Sequence, residues 1–291
     1  MSPRPPRDNN PRSPRVNAAR GPARGTRARG ASPRGEGPPR KSPEGLGGEQ
    51  VEGRQAVLEL LKARKRQVTR IYMADAQDPS GILDEIENEA KRQRVQVQIV
   101  SMNRLDREAR TDGHQGVLAF CARLKTVGLD DLLAVKNPFL LVCDGVTDPR
   151  NLGAILRSAD GAGVTGVILP RHRSARITPA VTKTAVGAIE YLAFSDVGGI
   201  PTAIDQLNKA GVLTVGLAGE SVQSLYDVDL ASTPVALVVG GEQSGLAALT
   251  RKRCAVVVSI PQLGRISSLN AGVAASVAAF EVARQRASSS H

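Results

Sequence analysis

From Val51 onward the apolar positions recur at spacings that specify short strands alternating with helices. Ala56, Val57, Leu60 and Leu61 follow the three-and-four spacing of one helix face, and Ile82, Leu83 and Ile86 mark a second helix ending near Arg92. Runs at 68–73, 96–100 and 117–120 read as strands, which makes residues 51–123 a small α/β domain. Residues 124–137 carry no clear period and read as a linker. Beyond them, apolar runs at 139–143, 166–169, 191–194, 213–217, 235–239 and 256–260 alternate with helical patterns at 179–188, 200–210, 247–253 and 270–286, and a further helix begins at Asn151. Buried strands separated by helices predict an α/β fold with a mostly parallel, doubly wound sheet over residues 138–291.

Composition changes this picture only at the N-terminus. The first fifty residues hold ten Arg and one Lys against four acidic residues, so they carry +7 of the chain's formal +11. Ten of the 18 prolines lie there, and the only aliphatic residues larger than Ala are Val16 and Leu46 after Met1. Such a stretch buries too little apolar surface to offset its ordering entropy, so residues 1–48 read as a disordered basic tail. A polycationic arm suits a polyanion, nucleic acid first, although a solvated extension without a role explains it equally well. Arg54, Lys62, Arg64, Lys65, Arg66 and Arg70 extend the same charge into the small domain and predict a nucleic-acid-facing patch. Tyr72 and Phe120 are the aromatics there, which leaves little for base stacking.

No apolar run approaches the length of a bilayer span, and the tail lacks the apolar core of a secretory signal. Cys121, Cys143 and Cys254 are far apart in apolar runs and read as reduced core residues of a cytoplasmic protein. His114, His172 and His291 are equally scattered, so no metal site is expected.

Candidate chemistry gathers where strands end in Gly- or Pro-rich loops, since ligands in α/β sheets bind at the carboxyl ends of strands. The run 235–239 opens into Gly240, Gly241, Glu242, Gln243, Ser244 and Gly245, which brings one carboxylate into a loop that lets backbone approach a ligand closely. That suits a partly cationic ligand better than a phosphate, because the loop has no Lys and no nucleotide-triphosphate signature. The run 256–260 opens into residues 261–268 ahead of an Ala-rich helix starting at Asn270. The run 139–143 opens into Asp144 to Arg150, with Asn151 at a helix start. A plain strand-to-helix turn explains any one of these loops.

Taken together, they match a family. Residues 144–163, DGVTDPRNLGAILRSADGAG, resemble the first motif of the SpoU family of RNA ribose 2′-O-methyltransferases within the SPOUT superfamily. Gly240 to Gly245 resembles the second motif, and Ser259-Ile260-Pro261 with Ser267-Ser268-Leu269-Asn270 resembles the third. Gly53-Arg54-Gln55-Ala56-Val57 and His114-Gln115-Gly116-Val117 are similar to the RNA-recognition domain of the subgroup that modifies large-subunit ribosomal RNA. The resemblance covers about residues 51–287.

The resemblance implies a C-terminal domain threaded into a trefoil knot, a homodimer, and S-adenosylmethionine held in the knot, with Gly240, Ile260 and Leu269 as contacts and Leu217, Ala218 and Gly219 alongside. Core packing explains Ile260 and Leu269 equally. It implies methyl transfer to a ribose 2′-hydroxyl, with Arg157 activating the hydroxyl or stabilising its oxyanion and Asn151, Glu242, Ser268 and Asn270 orienting the parts. A guanidinium stays protonated, which favours electrostatic activation over its use as a general base. Helix capping explains Asn151 and Asn270 as well. After Asn270 the family usually continues Val-Ser, whereas this chain has Ala271-Gly272 and lacks that hydroxyl. Val273, Val277 and Phe280 form a stripe on the last helix that reads as a packing surface, and the helix's small residues suit close approach at a dimer interface.

The implied substrate is a guanosine of 23S ribosomal RNA. Transfer RNA, an antibiotic-resistance site in ribosomal RNA, and a catalytically weak RNA-binding ribosome-assembly role stand as alternatives.

Overall fold

The computed structural model describes residues 46–75, 80–172, 174–265 and 268–289. The expected tail falls outside them up to residue 45, but its last three positions belong to the fold. Leu46 is buried in the main core, and Gly47 pairs with Ile177.

The first sheet has the order β1 (Gln50–Glu52), β4 (Val117–Cys121), β2 (Val68–Ala74), β3 (Gln96–Val100), with β1 and β2 antiparallel to β4 and β3 parallel to β2. Helices α1 (Arg54–Ala63) and α2 (Gly81–Arg92) cover one face, where Val57, Leu60, Ile71 and Ile86 form the core. A helix not expected from the sequence, α3 (Met102–Glu108), inserts Leu105 against Tyr72 and Leu118 on the other face.

Strand β1 also escapes the polar-out rule. Its Gln50 and Glu52 are buried, and Glu52 satisfies its charge by accepting from the backbone amides of Arg110 at 2.8 Å and Thr111 at 3.1 Å. A three-residue strand of polar ends around one Val shows no legible alternation.

The second sheet is parallel throughout, in the order β10 (Val256–Val258), β8 (Leu213–Leu217), β9 (Val235–Gly240), β5 (Phe139–Asp144), β6 (Gly166–Pro170), β7 (Ala193–Val197). On one face α5 (Pro149–Gly161), α6 (Pro179–Thr184) and α9 (Ala271–Ser288) pack over Leu141, Cys143, Leu237 and Val239. On the other, α4 (Leu129–Leu133), α7 (Ile200–Lys209) and α8 (Ala248–Arg253) cover Leu140, Val142, Ala236 and Val238. The α/β layering with a mostly parallel sheet is the one the apolar pattern predicts.

The segment read as a linker is structured. Leu132 of α4 is buried against β5, and the amide of Val127 donates to the carbonyl of Phe194. The helix expected at 179–188 stops at Thr184 because Val186 and Gly187 take positive φ, and a 3₁₀ turn, Ala188–Glu190, follows. At Gly187 a Cβ would stand 2.3 Å from that of Glu59, so only glycine lets α1 pack onto this turn. The strand expected at 191–194 therefore begins two residues later, at Ala193.

That turn carries the strongest polar link between the two sheets. Arg66, expected in an exposed basic patch, is instead buried and forms a bidentate pair with buried Glu190, its Nε donating at 2.9 Å. Its remaining edge donates to the carbonyl oxygens of Gly48 at 2.6 Å and Ala122 at 3.2 Å. Tyr191 adds a bond from its hydroxyl to Glu59 at 2.6 Å. Two more of the expected patch residues are tied to carboxylates, Lys62 to Glu85 and Arg64 to Glu89.

Burial pushes the Cys121 thiol up to about 11 and the Cys143 thiol up to about 12, so both stay neutral near pH 7.

Removing one member of a buried pair strands the other's charge. Arg66→Met should cost about 3–5 kcal/mol, read as a lower urea midpoint. A midpoint equal to that of the unaltered chain would mean that Arg66–Glu190 does not hold the two sheets together.

Candidate active site

Helix α5 starts earlier than Asn151. Asp148 is its N-cap, accepting from the amide of Arg150 at 2.8 Å, and Pro149 occupies the first helical position. Asn151 is therefore the third residue of the helix, within its first turn, and its side chain is not needed as the N-cap. The cap role expected of Asn270 is present, since its Oδ1 accepts from the amides of Gly272 at 2.9 Å and Val273 at 3.3 Å.

This capping sets the direction of a relay. With Oδ1 of Asn270 committed to the helix, its Nδ2 is the group that faces Asn151, and it donates to Asn151 Oδ1 at 3.1 Å. Asn151 must then turn its own Nδ2 the other way, and it donates to Glu242 Oε1 at 2.8 Å. Three loops far apart in sequence are thus joined by two side-chain hydrogen bonds. Each carboxamide has one orientation that satisfies the network.

Glu242 stands at the edge of a cavity of about 620 Å³. Leu217, Ala218, Gly219, Gly240, Ile260 and Leu269, all expected at a cofactor site, line it, and so do Glu242 and Ser268. Asn151 and Asn270 lie behind Glu242 as its support, not on the cavity wall. Arg157 is the exception: it is exposed on α5, two turns from Asn151, and makes no hydrogen bond or ion pair with the relay among the described residues. Ser267 lies outside the described residues.

Backbone shape makes room for the cavity. Gly241 and Gly245 exchange two backbone hydrogen bonds, at 3.1 and 2.9 Å, folding the loop back on itself. Gly240 packs so tightly inside this turn that a Cβ there would meet the carbonyl carbon of Gly245 at 2.1 Å. Asp144, at the end of the neighbouring strand β5, accepts from the amide of Ala247 at 3.0 Å and so anchors the far end of the loop.

Several contributors escaped the sequence reading. Asp144 heads the first motif, and its position at a strand end was the signal for it. Glu220 and Arg251 also line the cavity and form an ion pair across its rim. Glu220 directly follows the expected Gly219, but Arg251 lies on α8 with no local cue. Ser276 donates its hydroxyl proton to the Gly272 carbonyl at 2.7 Å and joins α9 to α5 by accepting from the Ser158 hydroxyl at 2.7 Å. A hydroxyl one turn beyond Gly272 thus bonds to the residue next to Arg157.

The site can accordingly hold a ligand with an apolar portion against Leu217, Ile260 and Leu269 and a cationic or hydrogen-bond-donating portion facing Glu242. Gly240→Ala should open the 240–246 turn. The measurement is hydrogen exchange at the Gly241 and Gly245 amides, which should lose protection while the amides of β5 keep theirs. Retained protection at both glycines would show that the turn tolerates a side chain.

Residues 138–280 match the model of the SpoU rRNA Methylase family, and residues 50–127 match that of the RNA 2′-O ribose methyltransferase substrate-binding domain. The chain is 40% identical over 240 residues to the 23S rRNA (guanosine-2′-O-)-methyltransferase RlmB of Shewanella oneidensis, covering 81% of this chain and 97% of that protein. It is 39% identical over 242 residues to the RlmB of Pectobacterium atrosepticum, covering 82% and 98%. Among solved structures, the SpoU methyltransferase AviRb from Streptomyces viridochromogenes in complex with AdoMet superposes with a TM-score of 0.69 at 23% identity, covering 82% of this chain and 90% of that one, a likeness of fold. With both sheets matched and identity of 40% extending over 81% of its length, the chain belongs to the SpoU rRNA methylase family.

Proposed function

We propose that this protein transfers a methyl group from S-adenosylmethionine to the ribose 2′-hydroxyl of a guanosine in 23S ribosomal RNA. The observation that carries the reading is the Asn270–Asn151–Glu242 relay at the edge of the cavity, in a chain whose relatives carry that activity in their names. The residues present fit the cofactor. Leu217, Ile260 and Leu269 suit an adenine, the backbone of Gly240 and of Leu217 to Gly219 suits its polar edge, and Glu242 with Glu220 suits a ligand bearing positive charge. When bound, S-adenosylmethionine supplies an electrophilic methyl on a sulfonium.

The chain's own task is to align the hydroxyl and to stabilise the negative charge that develops on its oxygen. Glu242, Asn151 and Asn270 are assigned the alignment because the relay gives them one arrangement, and Ser268 is assigned to it from its place on the cavity wall. Arg157 is assigned the charge. Its guanidinium stays protonated, so it acts as an electrostatic partner of the oxyanion or of a flanking phosphate, and the proton leaves to another acceptor.

Two copies of the chain are proposed to pair, as the sequence resemblance implies. Val273 and Phe280 of α9 are about half exposed, and Gly161 of α5 lies close to Phe280, one turn from Arg157. An apolar stripe next to the charged group favours an interface there that includes Arg157.

The trefoil knot is proposed on the same footing. The chain leaves β10 at one edge of the sheet and returns as α9 over β9 and α5. The connection 218–234 bonds on one side to Ser259, after β10, and on the other to Gln285 of α9. That arrangement supports threading of the last helix past an earlier loop. Among the described residues no helix is long and apolar enough to cross a membrane, and ribosomal RNA as substrate argues for the cytoplasm.

The test is incubation with methyl-labelled S-adenosylmethionine and separate ribosomal and transfer RNA pools, followed by nucleoside analysis. Label should appear as 2′-O-methylguanosine from 23S RNA, whereas label in transfer RNA or in neither pool would overturn the reading. Arg157→Ala should slow transfer by roughly 10²–10³-fold, the usual loss for an oxyanion-stabilising group, with cofactor affinity unchanged. Full activity would remove Arg157 from the mechanism.

A further inference from the structure

The face of the first sheet opposite α1 and α2, covered in part by α3, carries a feature that the relay does not use. Across β4, β2 and β3, Phe120, Arg70 and Gln96 stand in register in one row, and Tyr72 lies in the next row opposite Leu118. Residues two apart on a strand share a face, so Arg70 and Tyr72 project together, away from the core under α1 and α2. The Arg70 guanidinium stacks 4.2 Å from the centre of the Phe120 ring and 5.5 Å from that of Tyr72. Arg104, from α3, lies 4.9 Å from the Tyr72 ring centre and donates to its hydroxyl at 3.3 Å. Phe120 and Tyr72 meet edge to face at 5.5 Å, so the four side chains form one cluster.

Both arginines are exposed, and neither pairs with a carboxylate among the described residues. This sets them apart from Lys62, Arg64 and Arg66 of the same domain, which are all tied to carboxylates. Stacking on rings fixes the plane of each guanidinium; among the described residues the N–H edge of Arg70 is left unused and Arg104 spends one donor on the Tyr72 hydroxyl, so both keep donors for the phosphate oxygens that such a fork recognises. Backed by Phe120, the exposed Arg70 guanidinium is itself a plane on which a base can stack, and Gln96 stands in register beside it. The acidic, planar and stackable partner this cluster fits is unpaired RNA.

We infer that Arg70 and Arg104, held over Tyr72 and Phe120, form a docking surface for the sugar-phosphate backbone of an unpaired RNA segment. The inference rests on the proposed RNA substrate and names where that RNA is gripped outside the cavity. Arg70 and Arg104 are not part of the cavity lining and act in binding, so their loss is felt in the Michaelis constant for RNA and not in the turnover of bound substrate.

The experiment compares the full chain with its Arg70→Gln/Arg104→Gln variant by fluorescence anisotropy, using a labelled unpaired oligoribonucleotide and a duplex of equal length across a salt series. Loss of two single-strand phosphate contacts should lower the slope of log affinity against log salt by about 1.4 and weaken binding to the unpaired probe more than to the duplex. Arg70→Lys, which keeps the charge without the planar fork, should fall between. Cofactor affinity and melting temperature serve as folding controls. Should the double variant melt early, Arg70→Gln alone should lower the slope by about 0.7.

Unchanged slope and affinity in folded variants would overturn the inference, as would equal losses on the two probes. Failure of the unaltered chain to methylate ribosomal RNA, with the slope difference intact, would instead remove the proposed function and leave this surface standing.

Discussion

The structure depends on one carboxamide having two hydrogen bonds to make and a single way to make them. Asn151 accepts from Asn270 and donates to Glu242, and because Asn270 is committed to capping α9, the polarity of the relay runs one way. The carboxylate at the cavity edge is thereby held by a helix that starts on β5, which is itself held by a helix that follows β10. A change in any of the three loops is transmitted to Glu242. Uncharged donors fix the carboxylate without neutralising it, which leaves its charge available to a ligand.

The parallel sheet puts those three loops within reach of one another. Strands β8, β9 and β5 are adjacent and run the same way, so their carboxyl ends open on one side. Glycine at 240 then lets the chain turn inside its own loop. The first sheet is secured to this frame by Arg66 and Glu190, both buried, and by the pairing of Gly47 with Ile177. The sheet of the small domain and the sheet that forms the cavity are joined by a buried ion pair in direct contact.

Much of this was legible beforehand, and the reasons differ by feature. Strands β5, β6, β8 and β9 are buried on both faces, which leaves uninterrupted apolar runs, and the loops after them are punctuated by Gly and Pro. The cavity lining from Leu217 to Gly219 and at Gly240, Ile260 and Leu269 followed from the motif resemblance. What escaped was set by distant partners. Arg66 looks like any residue of a basic run until Glu190 is brought against it. Leu132 looks like part of a linker until it meets β5. Leu46 sits in a Gly- and Pro-rich stretch whose composition conceals one buried anchor. Asn151 looked like a cap because Asp148 and Pro149, which do that job, read as turn residues. Arg157 was expected beside the relay, yet it is exposed on α5, one turn before Gly161, which lies close to Phe280 of α9.

The central claim is that Glu242 and Asn270 act as one unit through Asn151, although they do not touch. A double-mutant cycle on Glu242→Gln and Asn270→Ala, read out as S-adenosylmethionine affinity and as the single-turnover rate of methyl transfer, measures this directly. Coupling of more than about 0.5 kcal/mol, with the double variant little worse than the poorer single one, is the result predicted for a shared relay. Additive effects would contradict it, because they would mean that each side chain serves the cavity independently.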